Sequence, residues 1–76
     1  MDARTIRDAL NRQPFEPFRV VLSNGEEFEI RHPEMALVLL RNLLIGYEEE
    51  EGFPTRFHVV ALLHIAYLHP PDQVAQ

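Results

Sequence analysis

The 76-residue chain contains no cysteine, no lysine and a single serine. The first absence removes disulfides and thiolate metal sites. It fits the cytosol, where structural disulfides are rare. Without lysine the basic complement is seven arginines, a bias better ascribed to genome composition than to chemistry. Nucleophilic catalysis needs a hydroxyl or thiol with a base in reach, and only Ser23 and two threonines are on offer. Gly25, Gly46 and Gly52 stand apart from one another, so there is no glycine-rich phosphate loop. No apolar run approaches the ~20 residues that cross a bilayer, and the N-terminus has no apolar signal core. A non-enzymatic, cytoplasmic protein without a cofactor is therefore expected.

What is present suits one small globular domain over residues 1–76. Hydrophobic residues make up 46% of the chain, too many for disorder. A chain of this size buries a modest fraction of its surface and often gains stability from partner subunits. The net charge of −5 is uneven, with residues 1–19 at +1 and the remainder at −6. An acidic domain repels phosphate backbones at long range, which disfavours nucleic acid as a partner.

Residues 2–13 read as an amphipathic helix. Ala3, Ile6 and Leu10 share one stripe, Asp2 is placed to cap the start, and Pro14 stops the helix. Arg4, Asp8 and Arg12 lie four apart on the other side, spaced for a salt-bridged ladder. From Pro17 the period becomes two. Phe18, Val20 and Leu22 alternate with Arg19, Val21 and Ser23, and Phe28 and Ile30 alternate with acidic residues beyond Asn24-Gly25. That dipeptide predicts a type I′ hairpin, whose two central residues need positive φ. His32-Pro33-Glu34 predicts a bend or bulge, because proline cannot donate to a ladder. Met35–Leu40 and Leu43–Tyr47 read as two strands about a tight turn, although the leucines also suit a helix. Glu48–Glu51 with Gly52 and Pro54 reads as an exposed loop. Phe57, Val59 and Ala61 are expected to alternate inward in a further strand. Leu62-Leu63 suits a single turn before a last strand ending near Pro70, with 71–76 a tail. The predicted core is Ile6, Leu10, Phe18, Val20, Leu22, Phe28, Ile30, Leu44, Val59 and Ile65.

One helix, about five strands and a short turn before the last of them resemble the Sm-like barrel proteins (Hfq/LSm type). The similarity rests on Ser23-Asn24-Gly25 ending the first strand and on a long second strand broken at Pro33. Asn42-Leu43-Leu44-Ile45 and the terminal Ile65-Ala66-Tyr67-Leu68-His69-Pro70 add to it. It implies a β-rich fold, mainly β with an N-terminal α-helix, closed as a small, strongly bent five-stranded antiparallel barrel of Sm/SH3 type. It also implies a homo-oligomer, rings included. The family's RNA residues are mostly missing: Asn42 matches, but Val38 or Leu39 replaces the acid and Val60-Ala61 replaces the Arg-Gly pair. Pro14-Phe15-Glu16-Pro17-Phe18-Arg19, with His32-Pro33-Glu34, is also similar to a group of short uncharacterised bacterial proteins, which carries no function over.

The four histidines have none of the spacings that present two nitrogens to one ion. Four adjacent glutamates, Glu48–Glu51, suit a solvated loop better than a calcium site. No catalytic or metal-ligating residue is therefore assigned. A ligand or RNA surface, if there is one, falls on Arg4, Arg7 and Arg12 of the helix together with Asn42. The leading expectation is a self-associating interaction module, and an RNA-binding Sm-like protein is the alternative.

Overall fold

The structure, a computed structural model, describes residues 1–70. The expected tail, 71–76, lies outside the described residues. Asp2 caps the helix α1 (Ala3–Leu10), its Oδ1 accepting from the Thr5 N–H at 2.9 Å and the Thr5 hydroxyl at 2.8 Å. The helix stops short of the expected residue 13. Asn11 already has non-helical dihedrals, and its N–H closes the last turn on the Arg7 carbonyl at 2.9 Å. Eight residues of helix are too few to persist alone. Ile6, fully buried, docks the helix on the core, with Ala3, Ala9 and Leu10 packed around it.

Six strands follow: β1 (Phe18–Leu22), β2 (Glu27–Ile30), β3 (Ala36–Val38), β4 (Asn42–Glu50), β5 (Phe53–Ala61) and β6 (Ile65–His69). They form two three-stranded antiparallel sheets, ordered β2-β1-β6 and β3-β4-β5, and not the expected closed five-stranded barrel. The cause lies at Pro33. There a 3₁₀ turn over Pro33–Met35 splits the expected long second strand into β2 and β3 and delivers one to each sheet. A second 3₁₀ turn, Leu62–His64, falls where the Leu62-Leu63 pair predicts it and links the sheets. The Leu62 N–H donates to the Arg41 carbonyl at 2.9 Å, and the Ser23 N–H donates to that of His64 at 2.8 Å.

The hairpin between β1 and β2 forms as predicted, but with a different turn. The Gly25 N–H donates to the Leu22 carbonyl at 2.9 Å and the Leu22 N–H to that of Glu26 at 2.8 Å. Of the turn residues only Gly25 has positive φ, at +92°. The loop is therefore Ser23–Gly25, with a left-handed glycine at its end. The two-residue turn with both φ positive occurs elsewhere, at Glu51 (+54°) and Gly52 (+85°) between β4 and β5. It extends β4 through Glu50, so most of the expected acidic loop is strand.

The core between the sheets consists of Ile6, Phe18, Val20, Ile30, Leu43, Ile45, Val60, Leu62 and Ile65. Leu10, Leu22 and Phe28 are partly buried against it. Two expected core residues are misplaced: Leu44 falls outside this cluster, and Val59 is 60% exposed. Leu43 pairs with Val60 facing inward, and Leu44 with Val59 facing outward. Both faces of β4 and β5 are apolar here, so a period of two fixes the alternation without fixing its phase.

Candidate functional site

The two ends of the second sheet differ in character. At one end, α1 lies beside β3, and the chain turns through Leu39, Leu40 and Arg41, closed by the Leu39 N–H donating to the Asn42 carbonyl at 2.8 Å. The three-residue spacing of Arg4 and Arg7 sets both on one exposed side of the helix. With Asp2, Ala3, Val38, Leu39 and Leu40 they line an open groove of about 620 Å³. Its apolar wall is exposed, Leu39 by 45% and Leu40 by 80%. Neither guanidinium has an ion-pair partner among the described residues. The expected ladder of Arg4, Asp8 and Arg12 does not form: the helix ends before Arg12, and Arg4 and Asp8, though both helical, make no ion pair among the described residues. Arg12 instead pairs with Glu16 at 2.9 Å, in a separate dent beside Phe18 and Leu68. Asn42 opens β4 and does not line the groove. The four candidate residues thus divide: Arg4 and Arg7 come together, and Arg12 and Asn42 lie elsewhere.

At the other end, the β4–β5 hairpin carries Glu48 to Glu51, all exposed, with Phe53 exposed by 72%. Glu48 approaches Arg56 at 3.8 Å. Glu49, Glu50 and Glu51 have no ion-pair partner among the described residues.

Between these ends the outward face of β3-β4-β5 is apolar. Leu37, Leu44 and Val59 form one cross-strand row, with Phe57 further along β5. Leu37 is exposed by 58% and Phe57 by 61%. Among the described residues the outer edge of β5 has no strand beside it, nor has that of β6. From Phe57 to Ala61, and again from Ile65 to His69, no charged residue or proline interrupts the edge.

Where the sheets part, His58 sits between two other rings. It stacks on Tyr47 with centroids 4.2 Å apart and meets Phe28 at 4.8 Å. These rings line a groove of about 480 Å³ rimmed by Glu27, Glu29 and Glu49. The cluster was not legible in the sequence, because it joins residues of three strands.

Each hydroxyl of the scarce nucleophiles is occupied. Ser23 Oγ donates to the His64 carbonyl at 3.2 Å, Thr55 Oγ1 to the Glu48 carbonyl at 3.2 Å, and Thr5 Oγ1 to Asp2. Among the described residues no three His, Asp or Glu side chains converge as metal ligands. Asp2 titrates below the usual carboxylate range, chiefly because its carboxylate accepts the Thr5 backbone N–H and then the Thr5 hydroxyl. No described helix is long and apolar enough to cross a membrane. Comparison with protein-family models, with characterised proteins and with solved structures finds no match.

Proposed function

We propose that this chain is a non-catalytic, self-associating interaction module of Sm-like type, joined copy to copy along the free edges of β5 and β6. The observation that carries the reading is the character of those edges. A bare strand edge is a template for another strand, and monomeric proteins blunt theirs with charge, proline or cover. Pro54 and Arg56 blunt the first half of β5, but Phe-His-Val-Val-Ala in its second half and Ile-Ala-Tyr-Leu-His on β6 carry no such device. Exposed Phe57, Val59, Leu63 and Tyr67 lie on or beside these stretches. Such a concentration of exposed apolar side chains is usual at interfaces and unusual on a monomer of this size. A helix leading into a hairpin and a short turn before the last strand support the Sm-like reading. The tied-up hydroxyls support a non-catalytic one.

Light scattering at micromolar concentration should give a mass several times 8.9 kDa. A clean monomer would remove this reading.

RNA binding is the second reading, favoured by Arg4 and Arg7, which have no ion-pair partner among the described residues. Affinity for nucleic acid comes largely from neutralising phosphates, and a net charge of −5 per copy opposes it. A uridine-rich oligonucleotide should therefore bind no tighter than about micromolar at physiological salt. A salt-sensitive nanomolar affinity, abolished by Arg4→Glu with Arg7→Glu, would promote this reading above the first.

A further inference from the structure

We infer that the Arg4–Arg7 groove receives the acidic tip of the β4–β5 hairpin from a second copy of this chain. The inference rests on the self-association reading and adds a contact that edge pairing does not require. Its ground is complementarity between two surfaces that the same chain displays at opposite ends of one sheet. The groove offers two guanidiniums without ion-pair partners among the described residues, against the one carboxylate of Asp2, which already accepts from Thr5, and they stand beside the exposed side chains of Leu39 and Leu40. The tip offers Glu49, Glu50 and Glu51, likewise without ion-pair partners among the described residues, and the exposed ring of Phe53. Charge meets opposite charge, and an aromatic ring meets an apolar wall.

Within one chain the two surfaces are held apart. Val38, on the groove wall, pairs with Leu43, and β4 then runs on to Glu50. At about 3.3 Å per residue that separates groove and tip by roughly 20 Å along a strand. The tip must therefore find the groove of another molecule. The contact is head to tail: each copy gives its tip to one neighbour and its groove to the next, which produces rings or open chains.

Tip and groove are exposed, so their charges can be exchanged without entering the core. Two variants of the full chain test the contact. Arg4→Glu with Arg7→Glu makes groove and tip both acidic, and Glu49→Arg with Glu50→Arg makes both basic. Each alone should associate at least about tenfold more weakly than the wild type by light scattering, because like charges then oppose at the contact. An equimolar mixture should regain association, since each variant's tip matches the other's groove. Far-UV circular dichroism verifies that both remain folded, and Arg4→Gln with Arg7→Gln serves if the glutamates unfold the helix. Should either folded variant alone keep the wild-type mass, or the mixture fail to recombine, the inference is overturned. A wild type that resists both charge reversals yet dissociates with Val59→Lys retains edge pairing and loses the hairpin contact. A wild-type monomer removes both.

Discussion

Replacing Gly46 by alanine tests how tightly the second sheet is packed against the turn at Pro33. A Cβ at Gly46 would lie 2.7 Å from the Cβ of Pro54 and 3.2 Å from the terminal methyl of Met35. Carbon atoms in good contact sit about 3.5–4.0 Å apart. The Met35 methyl ends a flexible side chain and can turn away. Pro54 cannot, because its ring is fixed to the backbone of β5, so β4 and β5 must separate by most of an ångström. Overpacking of this kind costs about 1–3 kcal/mol. Removing a glycine from a strand interior returns about 0.5–1 kcal/mol. The net loss should be about 0.5–2 kcal/mol, which lowers Tm by roughly 2–16 °C in a domain of this size. Thermal melts followed by circular dichroism read it directly. In a Pro54→Gly background, where the opposing Cβ is gone, the same substitution should cost little, so the two changes should be strongly coupled. An unchanged or raised Tm for Gly46→Ala alone would refute the packing argument.

Gly25→Val places a β-branched residue at φ +92° with nothing within 4 Å of the new Cβ. The loss of at least ~1 kcal/mol expected in urea denaturation is thus backbone strain alone, and an unchanged midpoint would refute it. Glu51→Asn should raise Tm, because Glu51 sits at φ +54° and asparagine tolerates that region by about 0.5–1 kcal/mol more. A comparable rise with Glu51→Lys would instead assign the gain to charge relief. The Asp2 carboxyl is held below its unfolded value by Thr5, so in acid the unfolded chain binds more protons than the folded one. Its contribution is then complete above the ordinary aspartate pKa of about 3.9 and lost as pH falls through the lower folded value. Asp2→Asn keeps a capping side chain but should flatten this part of the stability–pH profile, and an identical profile would count against the cap.

The elements with local chemical signals were legible in the sequence. Asp2 marks the start of the helix, Leu62-Leu63 the second turn and Asn24-Gly25 the first hairpin, and Pro33 marks an interruption that the sequence reads as a bend within one strand and not as a break between sheets. What escaped depends on contacts between distant residues. Leu43-Leu44-Ile45 and Val59-Val60 are apolar on both faces, so only the packed sheets reveal that Leu43, Ile45 and Val60 point inward. The type I′ turn fell at Glu51-Gly52 because cross-strand pairing of β4 with β5 outweighs the discomfort of a left-handed glutamate and of four adjacent like charges. At the candidate site, Arg4 and Arg7 were among the residues singled out, but so were Arg12 and Asn42, which lie elsewhere. Leu39 and Leu40, the apolar neighbours of Arg4 and Arg7, come from the packing of α1 beside β3, which no local pattern records.

Amide hydrogen exchange read residue by residue across a concentration series tests edge pairing most directly. Edge strands of a lone molecule leave amides open to solvent, whereas edges paired between copies protect them only in the assembly. Protection of the outward-pointing amides, every second residue of 57–61 in β5 and of 65–69 in β6, should rise with protein concentration, while central amides of β1 and β4 stay protected throughout. Edge amides that exchange equally fast at every concentration would contradict the account.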